Sequence, residues 1–167
     1  MDNGQSLEIV FEDEQLIVVN KPAGMAVNKG LGDFSNILIE ILNEHSGSKG
    51  YLVHRIDKHT SGLLVFAKTK SAEESLAKQF AAHTVKRIYY CLVWGVPDPA
   101  KWRIENFIGR NPANEISIEV SADESFGKRA VTHYEVVEYY PCASLVKCIL
   151  ETGRTHQIRV HLKAIHH

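Results

Sequence analysis

The chain has 167 residues, of which 44% are hydrophobic and 23% are charged, and its formal net charge is −1. This length and composition predict one soluble globular domain with a self-sufficient core. The near-neutral charge argues against a general nucleic-acid binder, although residues 51–100 carry seven basic against four acidic side chains. The N-terminus is polar and acidic, and no apolar run approaches the roughly 18 residues of a membrane span, so neither secretion nor membrane insertion is predicted.

The three cysteines, Cys91, Cys142 and Cys148, are odd in number and lack CxxC spacing. They lie in apolar runs that are typical of strands. We therefore expect reduced core thiols in a cytosolic protein and neither a disulfide framework nor a zinc site.

Two short apolar runs open the chain, Leu7–Phe11 and Leu16–Val19, with polar residues between them. This pattern is typical of a β-hairpin. Pro22 and Gly24 then mark a turn at the end of the second strand. By local pattern alone, Lys21 beside this turn is a solvated lysine.

Helical periodicity follows the turn. Asp33 or Ser35 can cap a helix that runs through Asn43. The predicted core face of this helix consists of Ile37, Leu38, Ile41 and Leu42.

A second helix is predicted after residue 70. Ser71 and Glu74 have the spacing of a capping box, which favours a helix from Ser71 to about Ala82. Its predicted buried residues are Leu76, Ala77 and Phe80.

Between these helices, a polar segment separates two apolar runs. The segment reads HRIDKHTSG over residues 54–62 and predicts a loop between two strands. Asp57 lies in it beside Arg55, Lys58 and two histidines. Neighbouring cations favour an ionised carboxylate, which suits a nucleophile or a group that stabilises a cation. A solvated turn is the alternative interpretation.

The second half of the chain predicts several further strands. The first runs from Lys86 to Gly95, and adjacent Tyr89 and Tyr90 should face opposite sides of it, one in the core and one free to face a cleft. The other predicted strands are Trp102–Ile108, Glu115–Val120, Lys128–Val136 and Ala143–Glu151.

The segment ETGRTHQIRVHL, residues 151–162, has a helical pattern after Gly153. Thr155 can cap this helix, with Ile158 and Leu162 on its apolar side. An exposed helix with solvated charges is one alternative to a functional role.

The other alternative for this segment is a metal site at His156 and His161. Their five-residue spacing does not place both on one helix face, which disfavours a metal. We expect no metal and no other cofactor.

The stretch HRIDKHTSGLLVFAKT, residues 54–69, resembles the signature of the RluA family of RNA pseudouridine synthases, whose catalytic aspartate lies in such a segment. Further stretches resemble motifs of the same family in the same order. They are NKPAGMAV at 20–27, KRIYYCLVWG at 86–95, KRAVTHYEV at 128–136 and ETGRTHQIRVHL at 151–162.

The resemblance implies roles for particular residues. Asp57 would be the catalytic carboxylate, Tyr89 would pack against the target base and assist removal of its C5 proton, and Arg159 would pair with Asp57. Arg55 would enter the RNA beside the flipped nucleotide. The other expected substrate-binding residues are Lys21, Arg129, Arg154 and His156.

The resemblance also implies an activity and a fold. The activity is isomerisation of specific uridines to pseudouridine in rRNA or tRNA. We expect a cytoplasmic enzyme that does not bind membranes, and we favour a monomer. The fold is α+β, with a mixed, mostly antiparallel sheet flanked by helices and a cleft that holds Asp57. The alternative is a non-catalytic RNA-binding module, or an inactive fragment, with the same fold. Asp57, Tyr89 and Arg159 occur together, which favours the enzyme.

Family members usually continue beyond the last motif with further strands, whereas this sequence ends at His167. We expect residues 1–167 to form a single pseudouridine synthase catalytic domain that lacks its C-terminal strands and has no S4 domain.

Overall fold

A computed structural model describes residues 7–29 and 37–167, except for the side chains of Glu115 and Ile116. The chain divides into two compact units, Met1–Thr84 and Val85–His167. Organisation as a single catalytic domain stays a prediction.

Four strands form an antiparallel sheet in the first unit, namely β1 (Glu8–Glu12), β2 (Leu16–Lys21), β3 (Tyr51–Leu52) and β4 (Gly62–Ala67). Their order is β1-β2-β4-β3, and β1 with β2 forms the predicted hairpin. Alternate residues of β2, Ile17 and Val19, are fully buried. The register pairs Lys21 with Gly62, so Lys21 lies where the loop between β3 and β4 ends.

Two helices accompany this sheet, α1 (Leu38–Ser46) and α2 (Lys70–Ala81). Ile37, Leu38 and Leu42 form the buried face expected for α1, and Ile41 is half-buried. The predicted caps Asp33 and Ser35 lie outside the described residues.

The predicted cap of α2 was wrong. Thr69 is the N-cap, and its Oγ1 accepts a hydrogen bond from the Ala72 backbone N–H at 3.2 Å. Ser71 lies inside the first turn and is exposed. Ala77 is also exposed, because Ala72 and not Ala77 faces the protein.

Five strands form the antiparallel sheet of the second unit, namely β5 (Arg87–Trp94), β6 (Lys101–Asn111), β7 (Asn114–Ser121), β8 (Lys128–Tyr139) and β9 (Ala143–Leu150). Their order is β5-β9-β8-β6-β7. A short 3-10 helix, Glu124–Phe126, precedes β8, and helix α3 (Gln157–Ala164) follows β9. The core of this unit consists of Val93, Ile104, Tyr134, Val136, Val146, Cys148 and Leu162.

The α+β class is confirmed. Among the described residues, the strands form two sheets in which every strand pair is antiparallel. A parallel pairing occurs outside these strands, as an isolated bridge between Ala26 and Ile37. The cysteines are unbonded, but they do not all lie in the core. Cys148 is buried, Cys91 is half-buried, and Cys142 is exposed because it lies in the turn before β9.

Candidate active site

Asp57 lies in the loop of residues 53–61 that joins β3 to β4, as the sequence predicted. The Asp57 carbonyl accepts a hydrogen bond from the Thr60 N–H at 3.1 Å, which turns the chain directly after the carboxylate. Ile56 anchors the loop with 9% exposure. Asp57 is therefore half-buried between this anchor and the turn, whereas Arg55 is exposed.

Lys21 is fully buried below this loop. Its ammonium donates hydrogen bonds to the carbonyls of Pro22 at 2.8 Å, Met25 at 2.9 Å and Lys58 at 3.2 Å. The Gly24 N–H donates to the same Lys58 carbonyl at 2.8 Å. The turn after β2 and the loop that carries Asp57 are thus joined by one buried cation, which we call the Lys21 clamp.

The Lys21 ammonium also interacts with the charge of Asp57. Burial lowers the pKa of Lys21, and the nearby Asp57 carboxylate acts in the opposite direction. The two side chains are therefore close enough for their charges to interact. A substrate-binding role for Lys21 stays a prediction, but its ammonium protons are engaged by carbonyls.

His54 fixes the start of the loop. Its ring stacks on Phe80 of α2 with 4.6 Å between ring centroids. Its Nε2 accepts a hydrogen bond from the Val65 N–H of β4 at 3.1 Å, so that nitrogen carries no proton. Sequence reasoning placed His54 beside Asp57 but missed this structural role.

In the second unit, Tyr89 lies on β5 opposite Cys148 of β9. Its half-buried ring packs against the core of this unit. Tyr90 points to the other side of the strand and is 61% exposed. The expectation that the two tyrosines face opposite sides is confirmed, and the catalytic role of Tyr89 stays a prediction.

A buried polar network fixes the loop between β9 and α3. Gln157 lies at its centre with 3% exposure. The Gln157 amide nitrogen donates to the Val131 carbonyl at 2.9 Å and to Thr132 Oγ1 at 3.0 Å. Its amide oxygen accepts from Thr152 Oγ1 at 2.8 Å and from the Arg154 N–H at 2.9 Å. These bonds tie the loop to β8.

The start of α3 differs from the prediction. Thr155 is exposed, and the N-cap position belongs to His156, which has a left-handed backbone (φ 55°) and makes no side-chain cap. The Gln157 side chain bonds the Arg154 N–H in place of a threonine cap. Gln157 therefore holds the turn that leads from Arg154 through His156 into α3.

His161 extends the same network from α3. It is fully buried, and its Nδ1 lies 2.9 Å from Thr132 Oγ1. Its Nε2 has no hydrogen-bond partner within residues 7–29 and 37–167. Burial lowers the pKa of His161 to about 4, so the ring is neutral at pH 7.

Three arginines of the predicted site lie in this unit, namely Arg159, which was expected to pair with Asp57, and Arg129 and Arg154, which were expected to bind RNA. Arg159 is exposed on α3 and borders a cavity of about 430 Å³. Arg154 donates from Nε to the Arg129 carbonyl at 3.0 Å, and Arg129 pairs with Glu105 at 2.5 Å. Apolar side chains dominate the cavity, which is lined by Cys91, Leu92, Val93, Trp94, Ala143, Ile158, Leu162 and His167 besides the arginine.

Glu105 binds two guanidinium groups. The hydrogen bonds from Arg103 and Arg129 lower the pKa of Glu105 below its usual range. Arg129 is therefore an ion-paired residue in this structure, and its predicted phosphate contact would compete with Glu105.

Across the ranges that the structure covers, no three His, Cys, Asp or Glu side chains gather as metal ligands would. The expectation of a metal-free reaction stays a prediction. None of the helices in those ranges is both long enough and apolar enough to cross a membrane.

The sequence pattern of the RNA pseudouridylate synthase family matches residues 15–164. The chain belongs to this family. The matched region contains every residue that the sequence analysis placed in the site.

Relatives of the family agree with this assignment. Ribosomal large subunit pseudouridine synthase D of Zymomonas mobilis is 48% identical over 170 residues, which cover 96% of this chain and 53% of the relative. The uncharacterized RNA pseudouridine synthase YlyB of Bacillus subtilis is 45% identical over 167 residues, covering 95% and 54%. The chain thus spans about half the length of these relatives.

The fold agrees as well. The solved structure of human RNA pseudouridylate synthase domain containing 1 has a TM-score of 0.82 and 27% identity, covering 100% of this chain and 69% of the human chain. The predicted pairing of Asp57 with Arg159 joins residues of the two compact units and stays a prediction.

Proposed function

We propose that this chain carries an RNA pseudouridine synthase activity that isomerises uridine to pseudouridine, with large-subunit rRNA as the first substrate to test. Membership of the family supports the reaction type. The name of the Zymomonas relative supports rRNA. The sequence prediction of tRNA as a substrate, of a monomer and of a cytoplasmic location remains part of the proposal.

The reaction breaks the glycosidic bond between N1 and C1′, rotates the freed uracil and joins it again through C5. In the proposed mechanism, the Asp57 carboxylate attacks or shields the positive charge that develops at C1′, as the carboxylate of a retaining glycosidase does. Removal of the 2′ proton by Asp57, which gives a glycal, is the other route. Both routes need an ionised carboxylate at a fixed position.

The observation that carries the proposal is the Lys21 clamp. It holds the Asp57 loop from below by a hydrogen bond to the Lys58 carbonyl and keeps a positive charge near Asp57. Arg55 is exposed two residues earlier, and in this proposal it would fill the space of the flipped nucleotide. A solvated turn would need no buried cation, so the clamp favours a functional loop.

The other site residues have proposed roles in the second unit. Tyr89 would contact the uracil and assist removal of the C5 proton, and Arg159 would pair with Asp57. Arg129, Arg154 and His156 would bind the RNA backbone. The network around Gln157 supports these roles because it fixes the loop that carries Arg154 and His156.

The test is pseudouridine content in large-subunit rRNA and in tRNA after incubation with the wild-type protein, with Asp57→Asn and with Glu14→Gln. Asp57→Asn keeps the size of the side chain and removes its charge. Glu14→Gln makes the same change of charge in the exposed turn between β1 and β2. We expect new pseudouridine with the wild type and with Glu14→Gln and none with Asp57→Asn.

Product from Asp57→Asn at the wild-type rate would refute the catalytic role of Asp57. RNA binding without product from the wild type would instead favour the RNA-binding module. Product in tRNA alone would overturn the choice of rRNA and leave the reaction type standing.

A further inference from the structure

His161 is a histidine of α3 to which the family motifs assign no binding or catalytic role. It is fully buried, and its ring is neutral at pH 7 because burial lowers its pKa to about 4. One ring nitrogen therefore carries a proton, and the other can only accept a hydrogen bond. The hydrogen bonds that lead to the ring determine which nitrogen accepts.

These hydrogen bonds start at the amide of Gln157, whose orientation is fixed by two backbone groups. The Arg154 N–H can only donate, and it lies 2.9 Å from Gln157 Oε1. The Val131 carbonyl can only accept, and it lies 2.9 Å from Gln157 Nε2. The amide nitrogen therefore faces β8, and its second proton is donated to Thr132 Oγ1 at 3.0 Å.

Thr132 passes this direction on to His161. Thr132 is fully buried, and in the described part of the chain the acceptor for its single hydroxyl proton is His161 Nδ1, at 2.9 Å. Nδ1 thus accepts, and Nε2 carries the ring proton. Nε2 has no partner among the same residues, which costs free energy at a buried position. An apolar side chain would avoid this cost, so the bond at Nδ1 is what a histidine contributes here.

We propose that His161 is a positioning residue for RNA binding, because its Nδ1 holds the Thr132 hydroxyl in the orientation that receives the Gln157 amide. The oriented amide in turn holds the backbone N–H of Arg154, in the loop between β9 and α3. Loss of the Nδ1 acceptor frees the hydroxyl and the amide to reorient, and the Arg154 backbone then loses its fixed position. This inference rests on the proposed function in taking Arg154 as an RNA-binding residue.

The first test is the tautomer of His161, which NMR of protein labelled with ¹⁵N-histidine measures at pH 7. The spectrum of His161→Asn lacks the signals of this ring and so assigns them. We expect a protonated Nε2 and an unprotonated Nδ1. The opposite tautomer would overturn the inference, because Nδ1 would then donate to Thr132.

The second test is the affinity for a fluorescein-labelled fragment of large-subunit rRNA, measured by fluorescence anisotropy. In His161→Asn, the amide oxygen can accept a hydrogen bond at about the place of Nδ1, whereas His161→Leu removes the acceptor. We expect about fivefold weaker binding for His161→Leu, as for the loss of one hydrogen bond, and wild-type affinity for His161→Asn. In an Arg154→Met background, His161→Leu should weaken binding by less than about twofold, because it acts through Arg154.

Val146→Ala is the matched control. Val146 is fully buried in the core of the same unit, and its side chain has no hydrogen-bonding atoms. Its truncation should lower the melting temperature and leave the RNA affinity unchanged, with all binding measured below the melting temperatures. The inference is overturned if Val146→Ala weakens binding as much as His161→Leu. It is also overturned if His161→Asn binds as weakly as His161→Leu.

Thr132→Val tests the same hydrogen bonds if His161→Leu fails to fold. Valine keeps the shape of the threonine side chain and removes its hydroxyl group. This variant should weaken RNA binding by a similar factor. Wild-type affinity in Thr132→Val would overturn the inference.

Hydrogen exchange of the Arg154 amide provides a measurement that needs no RNA. This amide should exchange faster in His161→Leu than in the wild type or in His161→Asn, and an equal rate in all three would overturn the inference. Pseudouridine formation and RNA binding by the wild-type protein are measured in parallel. If both are absent, the proposed function is refuted, while the tautomer and the exchange rate still decide whether His161 positions Arg154.

Discussion

At the level of single residues, Lys21 has the most unusual environment. Lysine is almost never fully buried unless its charge is compensated, yet Lys21 has no exposed surface. Its compensation comes from three carbonyl groups and from the nearby Asp57 carboxylate. The free energy of these contacts offsets the cost of removing the ammonium from water.

Lys21→Met should therefore destabilise the protein. The change keeps much of the buried volume but leaves the carbonyls of Pro22 and Met25 without this donor, whereas the Lys58 carbonyl keeps its hydrogen bond from the Gly24 N–H. Buried acceptors that lose a partner cost about 1–3 kcal/mol each, so we expect a decrease of about 3 kcal/mol in the free energy of unfolding. Urea denaturation followed by circular dichroism measures this quantity.

Lys29→Met is the control for Lys21→Met, because the Lys29–Glu40 ion pair is exposed (77% and 54%). Exposed pairs contribute little, so Lys29→Met should leave the free energy of unfolding essentially unchanged. Equal effects of the two substitutions would contradict the clamp.

His161 should make the stability of the protein depend on pH. Its pKa is about 4 in the folded chain and about 6.5 in an unfolded chain. The unfolded state therefore binds a proton first as the pH falls, and stability is lost between pH 6.5 and 4. The loss is at most about 3 kcal/mol. Unfolding free energies from urea titrations at several pH values measure it.

His161→Gln should flatten this dependence, because glutamine does not titrate. Several carboxylates with lowered pKa values, such as Glu105 and Glu151, add a loss of stability below pH 4.5 in both proteins. An unchanged slope between pH 6.5 and 4.5 in His161→Gln would exclude His161 as its cause.

At the level of elements, the cap of α2 gives a paired prediction. Thr69 Oγ1 accepts from the Ala72 N–H and also donates to Gln15 Oε1 at 2.8 Å. Thr69→Ala should lower the free energy of unfolding by about 1 kcal/mol. Ser71→Ala should change it by only a few tenths, because Ser71 is exposed within the first turn. Thermal denaturation of both variants measures the difference. A larger effect of Ser71→Ala would instead support the predicted capping box.

The strands and helices were largely predictable, because each depends on local periodicity. The Asp57 loop, the strands on either side of it and the alternation of Tyr89 with Tyr90 follow from the sequence alone. The caps were less predictable. Thr69 and Ser71 are both good capping residues, and the local sequence does not reveal that Thr69 also bonds to Gln15, which is 54 positions away.

The same reason explains what the sequence did not reveal about the candidate site. The local pattern alone predicted a solvated Lys21, but the buried ammonium bonds to the Lys58 carbonyl 37 positions later. The sequence pattern was compatible with Gln157 on an exposed helix, whereas its side chain is buried and hydrogen-bonded to β8.

At the level of the whole molecule, the two compact units raise the question of cooperativity. The sequence predicts one domain, which would unfold in a single transition. Native-state hydrogen exchange followed by mass spectrometry tests this directly. We expect the slowest amides of β2 and β4 to exchange with the same free energy of opening as those of β8 and β9.

A lower free energy of opening in only one unit would contradict the single-domain prediction. Lys21→Met provides a second test of cooperativity, since this substitution lies in the first unit. If the protein is one cooperative domain, this variant should accelerate exchange in both sheets by the same factor.

The Lys21 clamp has a final consequence for the cost of forming the RNA complex. Fixing the backbone of a disordered residue costs about 1–2 kcal/mol of conformational entropy. The clamp orders part of the Asp57 loop during folding, so this cost is met before any RNA arrives. In the proposed reaction, more of the RNA binding energy is then left to unstack the target uridine, which costs a few kcal/mol.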